Sequence, residues 1–492
     1  MSRCIMVQGT MSGAGKSLLC TALCRIFAQD GWKTAPFKSQ NMALNSFVTR
    51  TGLEMGRAQA VQAQAAGIEP DVSMNPILLK PSSEHGSQVI VCGEVYGQMT
   101  AAEYFRTKGR LFPTILAAYH SLATAYDIIV IEGAGSPAEI NLRAGDLVNM
   151  GLAQRVNAPV LLTGDIDRGG VFAQLYGTVA LLEPEERDRI AGLVINKFRG
   201  DFSLLRPGLS TLEERTRKRV LGVIPYLRVD LDDEDSLAPR LEQSAVHKPL
   251  DAVVIRLPHI SNFTDFAPLE FHPQIGVRYV DDPRRLGSPD LVLLPGTKNT
   301  VDDLLWLRQN GLETAVQRLA GGGTPVLGIC GGYQMLGESL DDPDGVECGR
   351  RARVRGMGLL PVETTFLDQK HRRQVRAAAV AEELAGAALE GYELHMGRTQ
   401  VSGAAFCRLE SGELDGCAQG HVWGTYLHGL FDSGALTEKL ARLLCDRRGL
   451  PLEPEAPLSH DAYQQRQFDL LADGVRQALD LDEIYRIMEH MT

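Results

Sequence analysis

The sequence lacks the features that mark several special classes of protein. No apolar run approaches the roughly 18 residues that a membrane-spanning helix needs. Nine cysteines are scattered without a CxxC pair, which argues against a disulfide framework and against zinc-ligand spacing. Neither an internal repeat of solenoid length nor a low-complexity segment is present. Because the first residues lead directly into a short strand rather than a signal segment, we expect a soluble, cytoplasmic protein.

Basic residues are also fewer than acidic residues. The chain has 50 Lys and Arg against 61 Asp and Glu, a formal net charge of -11. This balance argues against a nucleic-acid partner, because phosphate binding needs clustered Lys and Arg. A local basic pocket can still bind an anionic small molecule. With 492 residues, 44% of them hydrophobic, the chain is long enough for two or three domains with their own cores.

Short apolar strands alternate with helical stretches in both halves of the chain. The candidate strands are residues 5–7, 128–131, 160–162, 193–195, 252–257, 291–294 and 326–329. This alternation predicts the α/β class, with two doubly wound domains whose mostly parallel sheets bind ligands at the carboxyl ends of the strands. We expect a first domain over residues 1–228, a linker over 229–249 and a second domain over 250–492. In the second domain, roughly the last forty residues are expected to form a helical cap.

The first strand runs into a glycine-rich segment, from Gly9 to Ser17, that opens a helix. The backbone N–H groups of such a loop surround phosphate oxygens, and the helix N-terminus and Lys16 add positive charge. Thr10 stands where the strict pattern has glycine, so this is a variant P-loop. Asn196, after another strand, is a candidate for reading the nucleotide base. The candidate ATP-binding residues are Thr10, Gly13, Gly15, Lys16, Ser17 and Asn196.

A carboxylate ends the strand at residues 128–131. Ser17 and this residue, Glu132, are candidate ligands of Mg²⁺, which prefers hydroxyl and carboxylate oxygens. The alternative is a strand-end carboxylate that simply faces water. Arg168 is either a substrate or phosphate contact or one half of a surface ion pair.

The second half of the chain contains a candidate nucleophile. Cys330 follows a strand, opens a helix and has glycines nearby, as at a nucleophile elbow. The helix N-terminus favours the thiolate, and the N–H of Gly331 can stabilise an oxyanion. About a hundred residues later, His428 follows a strand and suits a general base. A second histidine, His395, either serves this site or packs beneath it.

These motifs resemble two known modules. The first half resembles the dethiobiotin synthetase-like branch of P-loop enzymes, which phosphorylate a carboxylate or carbamate. Met11 stands where the related partitioning ATPases carry a signature lysine, which argues against a Min/Par-type switch. The second half resembles class I glutamine amidotransferase domains, and this resemblance makes Gly296 a further oxyanion donor. Those domains usually carry glutamate where this chain has Leu430, so the orienting acid lies elsewhere or the site is a Cys–His dyad.

The fusion of these modules resembles the cobalamin-pathway amidases. The matching segments are residues 36–45, 75–81, 132–142, 165–172, 196–201 and 391–397. The resemblance implies that ATP, Mg²⁺ and glutamine are used to amidate the b, d, e and g carboxylates of adenosylcobyrinic acid a,c-diamide. The implied partners are this corrinoid and glutamine, with no nucleic acid or membrane, and a homo-oligomer is compatible with it.

The resemblance also suggests roles for four further residues. Asp146 is either a catalytic or metal-linked carboxylate or a helix N-cap. Lys38, Arg57 and Lys80 are candidate contacts for the anionic corrin or the transferring phosphate.

Two rival functions remain. The a,c-diamide synthase of the same pathway has the same modules, but residues 40–42 and 196–201 disfavour it. A nucleotide-dependent regulator with a vestigial glutaminase domain is disfavoured by the intact Cys330 and His428.

Overall fold

A computed structural model describes residues 2–83, 86–231, 248–453 and 460–490. The chain divides into two compact units, and each is assembled from separate stretches of sequence. The first unit comprises Met1–Met42, Glu54–Leu231 and Gln464–Thr492, and the second comprises Ala43–Leu53 and Asp232–Tyr463. Most of the predicted linker, residues 232–247, lies outside the described residues.

The first unit is built on a six-stranded parallel sheet. Its strands, in spatial order, are Val220–Pro225, Ile190–Phe198, Val160–Asp165, Arg3–Gly9, Ile128–Glu132 and Thr34–Phe37. Runs of buried Val, Ile and Leu in these strands are typical of a sheet covered on both faces. A four-stranded sheet consists of Gln40–Met42, Ile77–Ser83, Gly86–Val91 and Glu94–Thr100, and a short strand is Glu54–Gly56.

Helices follow most of these strands. They are Lys16–Gln29, Arg57–Ala65, Ala101–Thr107, Phe112–Ala125, Met150–Arg155, Val171–Leu181, Pro184–Arg189 and Phe202–Thr216. Ala101–Thr107 begins at a capping box, in which the side chains of Thr100 and Glu103 each bond the other's backbone N–H.

The C-terminal helices His460–Ala478 and Leu481–His490 complete the core of the first unit. Phe468 and Met488 are fully buried in the same apolar cluster as Leu23 of the first helix. The prediction that this segment caps the second domain is therefore wrong. The amphipathic pattern predicted the helices, but it did not indicate which core their apolar faces would join.

The second unit contains another parallel sheet with one antiparallel edge strand. Its strands, in order, are Ile275–Val280, Leu250–Ile255, Leu291–Leu294, Val326–Ile329, Val422–Thr425 and the antiparallel Cys417–Gln419. Its helices are Ala267–Phe271, Thr300–Gln309, Leu312–Gly321, Gly331–Leu336 and Ala435–Arg448. The two parallel sheets confirm the predicted fold class.

The predicted β-rich region of the second unit forms a seven-stranded mixed sheet. Its strands are Ala352–Arg355, Ser339–Asp342, Val362–Ala379, Ala388–Val401 and Leu427–His428, with Cys407–Leu409 and Leu414–Asp415 at one side. The short strand Ser46–Val48 also belongs to this unit. Over the described ranges of the chain, no helix has the length and apolar character that crossing a membrane requires.

Candidate functional site

The glycine-rich loop connects the first strand to the first helix. Gly13 and Gly15 have φ angles of +76° and +90°, in the left-handed region that favours glycine. The ammonium of Lys16 donates hydrogen bonds to the carbonyl oxygens of Met11 and Gly135, each at 3.0 Å. The predicted phosphate-binding lysine therefore lies between the loop and the segment after the neighbouring strand.

Asn196 and Lys197, near the end of the strand Ile190–Phe198, bond to this loop. The Asn196 amide donates to the carbonyl of Ala14 at 3.0 Å, and its Oδ1 accepts the N–H of Lys197 at 2.8 Å. The Lys197 ammonium donates to the carbonyl of Gly13 at 2.7 Å and pairs with the buried Asp165 at 2.8 Å. Both polar atoms of Asn196 thus bond to the backbone, which makes it a support of the loop. Its role in reading the base stays a prediction.

Thr10 and Arg168 lie at the edge of the same loop. The Thr10 hydroxyl donates to Gln174 Oε1 at 3.1 Å. The side chain of Arg168 is 64% exposed, and its Nε lies 3.9 Å from Asp165 Oδ2. This long contact joins an exposed guanidinium to a buried carboxylate, so it is closer to the ion-pair alternative for Arg168 and leaves the guanidinium accessible.

Glu132 gathers four donors in the interior of the first unit. Ser17 Oγ donates to Oε1 at 2.9 Å, and Lys38 Nζ pairs with the same oxygen at 2.8 Å. The amides of Gln62 and Gln59 donate to Oε2 at 2.5 and 3.4 Å. Glu132 does not face water, and the structure brings the two predicted metal ligands together. A hydroxyl and a carboxylate beside a phosphate loop fit Mg²⁺, which typically completes its shell with phosphate oxygens and water. The two glutamines were missed, because their helix gave no motif.

The other predicted residues of the first unit make structural contacts. Asp146 accepts the backbone N–H groups of three residues that follow it, at 2.9 to 3.0 Å. One of them, Gly151, lies in the first turn of the helix Met150–Arg155, but the N-cap position of that helix is Asn149. The catalytic or metal-linked role of Asp146 stays a prediction. Lys80 is buried and pairs with Glu54 at 2.9 Å. Arg57 is buried at the start of its helix. The role of Lys38, Arg57 and Lys80 as contacts for the corrin or the transferring phosphate stays a prediction.

In the second unit, Cys330 has the backbone of a nucleophile elbow. Its φ of +51° and ψ of -108° are strained for a residue with a side chain. A Cβ on Gly331 would lie 2.7 Å from Thr297, and a Cβ on Gly332 would lie 2.1 Å from the Leu294 carbonyl oxygen. Glycine at these two positions is required for the sharp turn that presents the thiol.

His428 is hydrogen-bonded to Asp265, an acid that the sequence did not point to. Its Nδ1 lies 2.7 Å from Oδ2 of Asp265, whose Oδ1 accepts the backbone N–H of Gly429 at 2.9 Å. Burial lowers the pKa of His428, but the charge and hydrogen bond of Asp265 and the hydrogen bond with Cys330 outweigh it and raise the pKa to about 10. Since Nδ1 faces Asp265, Nε2 is left for the thiol.

Asp265 lies 163 residues before His428, on the short 3₁₀ helix Phe263–Phe266. The only sequence signal was a single acid between phenylalanines, which is too common a pattern to assign a role. Of the two alternatives raised by Leu430, an acid from elsewhere or a Cys–His dyad, the structure supports the first. Asp265 comes from another element and forms a Cys–His–Asp triad with Cys330 and His428.

The turn formed by Pro295 and Gly296 lies at the same site. A Cβ on Gly296 would lie 3.0 Å from Cε1 of His428, and Gly331 packs against the next residue of that turn, Thr297. The structure thus brings the two predicted oxyanion donors, the thiol and the histidine into one site.

His395 packs beside this site as a neutral ring. It stacks on Tyr426 with a centroid separation of 3.7 Å, and its Nδ1 lies 2.8 Å from the carbonyl oxygen of Gly397. Burial lowers the pKa of His395 to about 3. These contacts favour the packing alternative for this histidine.

Comparison with known proteins gives matches over nearly the whole chain. Residues 5–236 match the model of the CobQ/CobB/MinD/ParA nucleotide binding domain, and residues 251–436 match that of the CobB/CobQ-like glutamine amidotransferase domain. A cobyric acid synthase of Lachnoclostridium phytofermentans is 52% identical over 513 residues, covering 99% of each chain. One of Photorhabdus laumondii is 50% identical over 507 residues, covering 99% of this chain and 98% of the relative. A crystal structure of a glutamine amidotransferase matches at 15% identity and a TM-score of 0.30, covering 40% of this chain and 99% of that one. The chain belongs to the cobyric acid synthase family.

Proposed function

We propose that the protein converts the b, d, e and g carboxylates of adenosylcobyrinic acid a,c-diamide into amides, using ATP and glutamine, to give adenosylcobyric acid. The observation that carries this proposal is the presence of two candidate sites in one chain of this family. One is the P-loop, whose Ser17 hydroxyl bonds Glu132, and the other joins Cys330, His428 and Asp265. We also propose a cytoplasmic location, where ATP and glutamine are available.

The second unit supplies ammonia. His428 takes the thiol proton of Cys330, and the thiolate attacks the side-chain carbonyl carbon of glutamine. The protonated His428 then gives its proton to the leaving nitrogen, so that ammonia departs and a thioester remains. Water, deprotonated by His428, hydrolyses the thioester to glutamate and restores the thiol. Asp265 keeps the imidazole in the tautomer that these transfers need.

Two backbone N–H groups stabilise the oxyanion that forms in both steps. Gly331 follows the nucleophile at the helix start, and Gly296 lies against the ring of His428. Preorganised donors of this kind act where charge develops in the transition state.

The first unit activates the acceptor. A carboxylate is a poor electrophile, so its oxygen attacks the γ-phosphorus of ATP and forms an acyl phosphate with release of ADP. Ammonia then attacks the acyl carbon, phosphate leaves, and the amide remains. Lys16 and the loop N–H groups bind the phosphates, and the Lys38 ammonium lies close enough to Ser17 and Glu132 to offset the transferring charge. Ser17 and Glu132 would hold Mg²⁺, which neutralises phosphate charge when bound.

Mass spectrometry of the corrinoid tests this division of labour. The a,c-diamide is incubated with Mg-ATP and either glutamine or ammonia, using wild type, Cys330→Ser and the control Cys348→Ser. Cys348 is partly exposed in the same unit. We expect four successive carboxylate-to-amide conversions with wild type and the control, whereas Cys330→Ser should work only with ammonia. Absence of conversion from either nitrogen source would refute the corrinoid substrate.

A further inference from the structure

A cavity of about 650 Å³ opens in the first unit beside the segment that follows Glu132. Its size lies within the roughly 300–1,000 Å³ of small-molecule sites. Gly135 and Ser136 line it, and the carbonyl of Gly135 accepts a hydrogen bond from the P-loop residue Lys16. A molecule in this cavity can therefore place one of its groups beside the phosphate site.

The wall of the cavity is apolar and partly open. The four-stranded sheet and the helix Ala101–Thr107 contribute most of its apolar side chains, among them Leu79 and Val89. Met42, Phe105 and Leu142 line the cavity although they are 59%, 45% and 50% exposed. Exposed apolar side chains gathered around a concave surface indicate a site for a ligand with a large apolar surface.

Two cations line this apolar surface, and they differ in their partners. Arg143 is neutralised, because its guanidinium pairs with Glu183 at 2.7 Å and donates to the carbonyl of Leu181 at 2.9 Å. The ammonium of Lys108 makes no hydrogen bond or salt bridge with any residue that the structure describes. Its ammonium lies 4.3 Å from the ring centroid of Phe105.

Burial lowers the pKa of Lys108. The carboxylate of Asp146 acts in the opposite direction, but its oxygens already accept backbone N–H groups. Lys108 is thus a half-buried cation beside an apolar surface, and the N–H groups of its ammonium are available to a ligand.

We propose that this cavity binds the corrin ring of the acceptor and that Lys108 binds one of its carboxylates that has not yet been amidated. This assignment rests on the proposed function. The corrin macrocycle supplies the apolar surface, and its periphery carries several carboxylates at once. While one carboxylate lies near Lys16 for phosphorylation, a second can meet Lys108 inside the same cavity.

Lys108 can distinguish the acceptor from the amidated product by charge. Each turnover replaces a negative carboxylate by a neutral amide, and an ammonium forms a stronger hydrogen bond with the former. Lys108 therefore favours acceptors with carboxylates left to convert over the finished product. It is a specificity-determining residue.

Equilibrium binding of two corrinoids to the full-length enzyme tests this assignment. The ligands are adenosylcobyrinic acid a,c-diamide and adenosylcobyric acid, and the variants are Lys108→Gln, Lys108→Arg and the control Arg106→Gln. Arg106 is exposed two residues away and is not among the described lining residues. We expect Lys108→Gln to raise the Kd of the diamide about 10- to 100-fold, with a much smaller change for the product. Lys108→Arg should restore most of the preference, and the control should match wild type.

Three results would overturn the assignment. Wild-type affinity of Lys108→Gln for the diamide would show that Lys108 contacts no carboxylate. An equal loss for both ligands would indicate a structural role. A loss of glutaminase activity or a raised KM for ATP in Lys108→Gln would also indicate structural damage. Failure of the proposed function looks different, because wild type itself would then leave the diamide unconverted.

Discussion

Replacement of Asp265 by asparagine should disable His428 as a base while preserving the shape of the site. Oδ1 of Asp265 accepts the N–H of Gly429 at 2.9 Å, so the asparagine oxygen must take this position to keep the bond. The asparagine NH₂ then faces Nδ1 of His428, where the carboxylate now lies at 2.7 Å. Nδ1 has to accept rather than donate, and the ring proton moves to Nε2. The thiol of Cys330 then meets a protonated nitrogen that cannot act as a base.

The size of this effect follows from the burial of the pair. The side chains of His428 and Asp265 are only 2% and 4% exposed, so water cannot replace the lost carboxylate. General-base catalysis contributes about 10²- to 10⁴-fold, and the wrong tautomer forfeits it. We expect glutaminase kcat/KM to fall by about 10²- to 10⁴-fold in Asp265→Asn.

Glutamate release and amide formation are measured with glutamine and then with ammonia. Ammonia-dependent amidation should stay within about twofold of wild type, because it needs no thiolate. Asp282→Asn serves as a control, since Asp282 caps a short 3₁₀ helix in the same unit. A glutaminase rate within threefold of wild type would refute the role of Asp265, and His428 would then work without an orienting acid.

Three further predictions concern stability and the phosphate loop. The pKa of His428 is about 6.5 in the unfolded chain and about 10 in the folded protein, so the stability that this shift contributes is complete below pH 6.5 and is lost as pH rises through about 10. The difference in unfolding free energy between wild type and Asp265→Asn, measured by urea denaturation, should therefore shrink over that pH range and not widen. Phe468→Ala should lower the unfolding free energy by about 3–5 kcal/mol, whereas Leu470→Ala, at an exposed position of the same helix, should change it by less than about 0.5 kcal/mol; equal effects would contradict the packing. Gly15→Ala should raise the KM for ATP at least about 10-fold without affecting glutaminase, because its φ is +90° and its Cβ would lie 2.1 Å from a neighbouring amide; an unchanged KM would show that the loop tolerates a side chain.

Features fixed by adjacent residues could be predicted from the sequence. The P-loop is one of these, because a strand, a glycine-rich turn, Lys16 and a helix follow one another directly in the chain. The elbow at Cys330 is another, since its glycines are neighbours of the thiol. In both cases the local backbone geometry is encoded in a few consecutive positions.

Contacts between distant segments could not be predicted in this way. Asp265 meets His428 only because separate elements of the second unit fold together, and no spacing in the sequence reports that approach. Asn196 showed where a strand ends, but whether its amide bonds a loop carbonyl or a base depends on atoms from elsewhere. Asp146 carried the same ambiguity, and only the folded structure shows that its oxygens accept three backbone N–H groups.

The packing of the C-terminal helices into the first unit has a consequence for the synthesis of the protein. The core of the first unit includes Phe468 and Met488, which leave the ribosome after the whole second unit has been synthesised. Until then, the apolar side chains that these residues cover remain exposed, and exposed apolar surface promotes aggregation during synthesis. A product that ends before residue 464 would carry both catalytic sequences and still lack a closed first core. Quality control can therefore recognise incomplete chains by their surface, although every residue of the two sites is present.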